Sequence, residues 1–91
     1  MSDISYSINK TNAKHFCKHF RIYSTADNYV RFTHYSTDFF SSVDVIKTSK
    51  QNYRVIVFVA YYHLSKYAEY KYFHSLKDLC SYLDTLSSQL V

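Results

Sequence analysis

YRVIVFVAYYH, residues 53–63, decides the fold. The run is nearly continuous in Val, Ile and aromatic side chains. Such residues suit a pleated, packed surface better than a helix. Its length exceeds a typical strand only slightly, and no helical period organises it. It therefore reads as a central strand with both faces at least partly covered. A bilayer-spanning helix needs about 20 apolar residues, so this stretch is not one.

Working outward, Leu64-Ser65-Lys66 turns the chain, and Tyr67 to Phe73 alternates as a further strand. On that strand Tyr70 and Tyr72 share one face, while Tyr67, Glu69, Lys71 and Phe73 share the other. Upstream, Thr48 to Asn52 is a loop. Phe39 to Lys47 (FFSSVDVIK) fits helix through Phe39, Val43 and Ile46 and strand through Val43 and Val45; its β-branched and Ser content favours strand. Before it, Ser36-Thr37-Asp38 breaks the pattern. Tyr29 to Ser36 is a strand with Val30 and Phe32 on one face and Tyr29, Arg31, Thr33 and Tyr35 on the other. Thr25-Ala26-Asp27-Asn28 is a turn cluster. Ile22 and Tyr23 either form a short strand before it or end the preceding helix.

Helices bracket these strands. At the C-terminal end, Ser75 caps a helix with Asp78 three residues on, in the S-x-x-D pattern. Leu76, Leu79, Cys80, Leu83, Leu86 and Leu90 form its apolar stripe. Near the N-terminus, Thr11 and Asn12 are suitable caps for a short helix. There Ala13, Phe16, Cys17 and Phe20 recur at helical spacing, with Lys14, His15, Lys18 and His19 opposite. Residues 1–10 have only a weak alternation, at Ile4, Tyr6 and Ile8, which suggests a short edge strand or a loose terminus. The expected architecture is α+β: a three- to four-stranded antiparallel meander packed by the C-terminal helix, with a short N-terminal helix, in one domain spanning 1–91.

Composition narrows function by exclusion. The chain has 91 residues and contains neither Gly nor Pro. Nucleotide-binding glycine loops and a glycine-flanked nucleophile elbow are therefore absent. A single Glu, Glu69, leaves little for paired-carboxylate chemistry, and beside Lys71 it reads as a surface ion pair. Cys17 and Cys80 fall on apolar helical faces, where a thiol is usually inert. In a helix Cys17 points away from His15 and His19, so the three do not share one metal. No catalytic residue, metal ligand or cofactor is assigned, and the chain reads as non-enzymatic. With no leader-like pattern and two distant cysteines, a cytoplasmic location is expected.

Eleven Tyr and seven Phe make the chain 20% aromatic, and the net charge is +4. Too many tyrosines crowd the last two strands for all to be core. Basic residues gather early, at Lys10, Lys14, Lys18, Arg21 and Arg31, with only Asp27 against them between positions 10 and 31. Arg beside exposed rings on a sheet suits a protein interface. It also suits a single-strand platform where bases stack on rings. The candidate partner-binding residues are Lys14, Lys18 and Arg21 on the basic side, and Tyr29, Arg31, Tyr35, Tyr67, Tyr70 and Tyr72 on the strands.

Few Ala, a single Glu, no Gly or Pro, and many Tyr, Lys, Ser and Phe indicate AT-rich coding. In size and in this composition the chain resembles small phage and mobile-element proteins that disable host machinery, such as anti-CRISPR proteins. The resemblance implies a stoichiometric inhibitor of a host defence nuclease complex. Its partner is then a host protein or ribonucleoprotein complex, with RNA or DNA backbone contact and homodimerisation open. The alternative is a small basic module that binds RNA or single strands. Many such inhibitors mimic DNA with acidic surfaces; this chain is basic, so its contact is to guide RNA or an acidic patch.

Overall fold

In the computed structural model, which describes residues 4–61 and 66–90, with Lys66 and Tyr67 described by backbone alone, five antiparallel strands form one sheet in the order of the chain. They are β1 (Arg21–Ala26), β2 (Tyr29–Tyr35), β3 (Phe39–Ser49), β4 (Asn52–Tyr61) and β5 (Lys66–Phe73). The meander is thus one to two strands larger than the three to four expected. The extra strand is β1: Ile22 and Tyr23 do not end the helix but pair with β2 through Ile22↔Phe32 and its neighbours. The ambiguous FFSSVDVIK stretch is strand, and it is the middle strand of the sheet. Val43 faces Val57 and Val45 faces Val55 across the β3–β4 ladder. The Leu64-Ser65 part of the last expected turn lies outside the described residues.

Three helices accompany the sheet: α1 (Ile4–Ser7), α2 (Lys14–His19) and α3 (Leu76–Leu90). Where the alternation of Ile4, Tyr6 and Ile8 suggested an edge strand or a loose end, the chain makes one helical turn. Ile4 and Ile8 are both buried by it, as a spacing of four on a helix allows.

The core follows from period two in the strands and period 3.6 in the helices. Val30 and Phe32 of β2, Val43 and Val45 of β3, and Val55, Val57 and Val59 of β4 all lie on one face and are fully buried. Each such side chain contributes about 1.5–3 kcal/mol on leaving water. Phe16 of α2, Phe20 at its C-cap, and Leu79, Leu83 and Leu86 of α3 close over that face in the same cluster. Phe16 stacks on Phe20 at 4.5 Å and meets Phe32 edge-on at 4.8 Å, which ties α2 to β2. Phe73 of β5 meets Tyr82 of α3 at 5.0 Å.

Six residues are too few for an isolated helix. α2 is held from outside. The expected caps Thr11 and Asn12 do not serve it: Ala13 stands at the N-cap and makes no side-chain bond. Thr11 N–H and Asn12 N–H instead donate to Asn9 Oδ1, shaping the preceding turn. The helix's orphan amide at Phe16 donates 2.9 Å to Asp84 Oδ1, a carboxylate on α3. Ser87 Oγ on the same helix reaches His15 O at 3.5 Å. α3 begins as expected, with Asp78 N–H donating 3.1 Å to Ser75 Oγ.

Candidate docking face

Helices cover one side of the sheet only. The other side is built from the alternate residues of each strand. β4 shows the division most clearly: Tyr53, Val55, Val57 and Val59 are buried, while Arg54, Ile56, Phe58 and Ala60 are half-exposed. The sequence reading has both faces of this run at least partly covered: one is buried under the helices, and the side chains of the other are of intermediate burial. The second face is roofed by nothing among the described residues, and its apolar side chains shield one another.

Across the ladder the open face continues. Tyr29, Arg31, Thr33 and Tyr35 come from β2, and opposite them stand Ile46, Asp44, Ser42 and Phe40 of β3. Tyr70 and Tyr72 of β5 lie beside Ile56 and Arg54. The tyrosines are the most exposed rings: Tyr35 is 65% accessible, Tyr70 61% and Tyr72 67%. Tyr35 and Phe40 pack ring to ring at 4.8 Å. Tyr23, the extra residue where the β1–β2 register shifts between Ile22 and Ser24, joins the face. A shallow hollow of about 420 Å³ lies among Tyr23, Arg31, Tyr35, Phe40, Asp44 and Phe58.

The charges on this face are not equivalent. Arg31 Nε donates 2.7 Å to Asp44 Oδ1 and Nη2 donates 3.0 Å to Oδ2, a bidentate pair. Asp44, through those hydrogen bonds and then its charge, raises the guanidinium pKa well above its ordinary value. Arg31 is thus a compensated charge. Arg54 is different. Its Nε is buried without a hydrogen-bond partner, and the ion pairs among the described residues are Arg31–Asp44 and Lys71–Glu69.

Of the nine residues singled out by sequence, Tyr29, Arg31, Tyr35, Tyr70 and Tyr72 come together on the open face. Tyr67 pairs with Val59 in the ladder, and its side chain lies outside the described residues. Lys14, Lys18 and Arg21 lie elsewhere. They line a groove of about 720 Å³ between α2 and β1, together with Lys10, although the register sets Arg21 opposite Thr33. No carboxylate among the described residues lines that groove. Phe40, Arg54, Ile56, Phe58 and Tyr23 belong to the open face and escaped the sequence reading. The signal for three of them was present, since Arg54, Ile56 and Phe58 stand at period two inside the apolar run.

The remaining reactive groups sit apart from both surfaces or at their floor. His15 and His19 tilt together with centroids 4.9 Å apart. Desolvation, then the charges of His15, Lys18 and His34, lower the His19 pKa. No group of three or more metal-ligating side chains forms among the described residues. Both cysteines are free thiols. Burial first, then Asp84, raises the Cys17 pKa, with Lys10 opposing. Burial, then Cys17 and Asp84, pushes Cys80 up to about 11. Neither thiol is biased toward the nucleophilic thiolate. Among the described residues no helix is long and apolar enough to cross a membrane. No family model, curated protein or solved structure matches the chain.

Proposed function

We propose that this chain is a non-enzymatic binding protein whose open sheet face docks onto a protein surface. The observation that carries the reading is the composition of that face: exposed Tyr35, Tyr70 and Tyr72 around half-exposed Phe40, Ile56 and Phe58, all on rigid paired strands. Large rings on a fixed backbone bury much area at little cost in conformational entropy. Tyr and Arg are also the residues that most often dominate protein interfaces. Arg54, without an anionic partner among the described residues, asks for an acceptor on the other side.

A single-strand platform fits the same face less well. Its central cation, Arg31, is already committed to Asp44, and the free lysines lie on the other side of the sheet. Apart from Arg54, the available cations are therefore separated from the rings, whereas stacking platforms interleave them. The size and AT-rich composition shared with phage-borne inhibitors name the partner class to examine first, a host defence nuclease complex that the protein disables stoichiometrically.

The test is capture by the tagged protein from a bacterial lysate containing such a complex, with and without added nuclease, using wild type and Y35A/Y70A/Y72A. The expected result is a stoichiometric protein partner that survives nuclease treatment and is lost by the triple variant, whose far-UV circular dichroism stays unchanged. A partner retained equally by the variant, or one that vanishes with nuclease, overturns the reading.

A further inference from the structure

α2 carries a pair of side chains that neither the core nor the open face uses. Its sequence, KHFCKH, sets His15 and His19 four residues apart. Residues at that spacing are neighbours on one side of a helix. The two rings lie 4.9 Å apart between centroids and are tilted by 52°. His15 is exposed and His19 half-exposed, so both are open to solvent. The backbone beneath them is held from two sides. His15 O accepts from Ser87 Oγ of α3 at 3.5 Å, and His19 O meets His34 Nδ1 of β2 at 3.2 Å. A carbonyl oxygen can only accept, so His34 carries a proton on Nδ1, and that nitrogen is not available to a metal. The pair is thus fixed to the rest of the fold although α2 has only six residues.

We infer that His15 and His19 chelate one divalent transition-metal ion, with water in its remaining positions. The distances suit it. A metal about 2.0–2.1 Å from an imidazole nitrogen lies about 3.2 Å from the ring centroid. With each ring turning one nitrogen to a shared point, centroids 4.9 Å apart subtend about 100° at the metal. That angle falls between a square-planar and a tetrahedral one, so Cu²⁺, Ni²⁺ and Zn²⁺ are all accommodated. Hard cations are not. Mg²⁺ and Ca²⁺ take oxygen ligands, and α2 contains no carboxylate. Lys14 and Lys18 repel any cation, so binding rests on the imidazole donors rather than on charge. Cys17 does not complete the set, because its Sγ turns to Ile8 O at 3.5 Å. No third ligand joins the pair among the described residues. The zinc-hydrolase pattern H-E-x-x-H places a glutamate after the first histidine as general base. Phe16 stands there in this chain, so the site binds metal without hydrolytic machinery.

The inference is independent of the open face, and separate variants test it. The untagged chain is titrated with Zn²⁺ at about pH 7.5, where imidazole is mostly neutral, with Cu²⁺ and Mg²⁺ as comparisons. Calorimetry reads stoichiometry and affinity, and NMR reads the histidine rings. One Zn²⁺ per chain is expected, with the ring signals of His15 and His19 shifted and those of His34 and His74 unmoved. Cu²⁺ is expected to bind more tightly than Zn²⁺, and Mg²⁺ not to bind. His15→Asn and His19→Asn each reduce a chelate to a single ligand and are expected to weaken Zn²⁺ binding at least about tenfold, with far-UV circular dichroism unchanged. Lys18→Gln removes a repelling charge beside the pair and is expected to tighten binding severalfold. Y35A/Y70A/Y72A is expected to bind Zn²⁺ as the wild type does. The proposal is overturned if Zn²⁺ fails to saturate, if one ion is shared by two chains, or if both histidine variants bind as before. It is equally overturned if the shifts centre on His34 or His74, or if Lys18→Gln weakens binding.

Discussion

The two faces of β2 differ residue by residue, and the reason is alternation alone. Val30 and Phe32 point into the core while Tyr29, Arg31 and Tyr35 point out, and this was legible in the sequence because period two needs no tertiary information. What Arg31 does was not legible. Its partner Asp44 lies thirteen residues away, and only the β2–β3 register sets them opposite each other. The same limit hid Arg54, which sequence places on a strand but cannot show to lack an ion pair among the described residues. Buried titratable groups make their own prediction. Cys80, 3% exposed, has its pKa raised from 9.0 to about 11, and Tyr82 is pushed up to about 12 by burial and then by Glu69. The folded state holds both protons after the unfolded chain has released them, so this contribution is present at neutral pH and is lost as pH rises. Chemical denaturation at a series of pH values is expected to show stability falling between pH 9 and 12. Roughly 2–3 kcal/mol of that loss belongs to Cys80. In Cys80→Ala the decline is expected to be shallower, with the Cys17 thiol and Tyr82, both raised by burial, accounting for what remains.

At the scale of elements, α3 was the most legible part of the chain. A capping serine, an acidic residue in the first turn and a leucine stripe all agree, and local agreement is what makes an element readable. Its stability contributions follow its burial. Leu83→Ala, at a fully buried position, is expected to cost about 2–5 kcal/mol in denaturant titration. Leu90→Ala, at the half-buried last turn, is expected to cost less than half as much. Ser75→Ala removes the cap to Asp78 N–H and is expected to cost about 1 kcal/mol. The N-terminal elements were harder to read because their partners are remote. α2 is capped by Asp84 from α3, and β1 exists only as a neighbour of β2. Local propensity records neither, so the segment read equally well as helix end or strand.

For the molecule as a whole, the unresolved question in the sequence was which surface the helices leave bare. Patterning gives two faces to each strand but does not say which layer a helix will occupy. The fold answers it by placing α2 and α3 on the valine face, leaving tyrosines, Phe58 and Ile56 on the other. Charge is partitioned with them: the groove carries Lys10, Lys14 and Lys18, and the open face keeps a compensated Arg31–Asp44 pair and Arg54. This separation predicts how binding responds to salt. A strand of nucleic acid held by four phosphate contacts loses about fiftyfold in affinity for a fourfold rise in salt. Docking through the open face is expected to weaken by severalfold at most over that range, as equilibrium titration of the captured partner would show. The most direct test of the central claim is tyrosine footprinting, by nitration or hydroxyl radicals, of the free protein and its complex. Tyr6, exposed on α1 away from the sheet face, serves as the internal reference. The account predicts that Tyr35, Tyr70 and Tyr72 react in the free protein and are protected in the complex while Tyr6 stays reactive. Protection of Tyr6 with the three sheet tyrosines still reactive would contradict it.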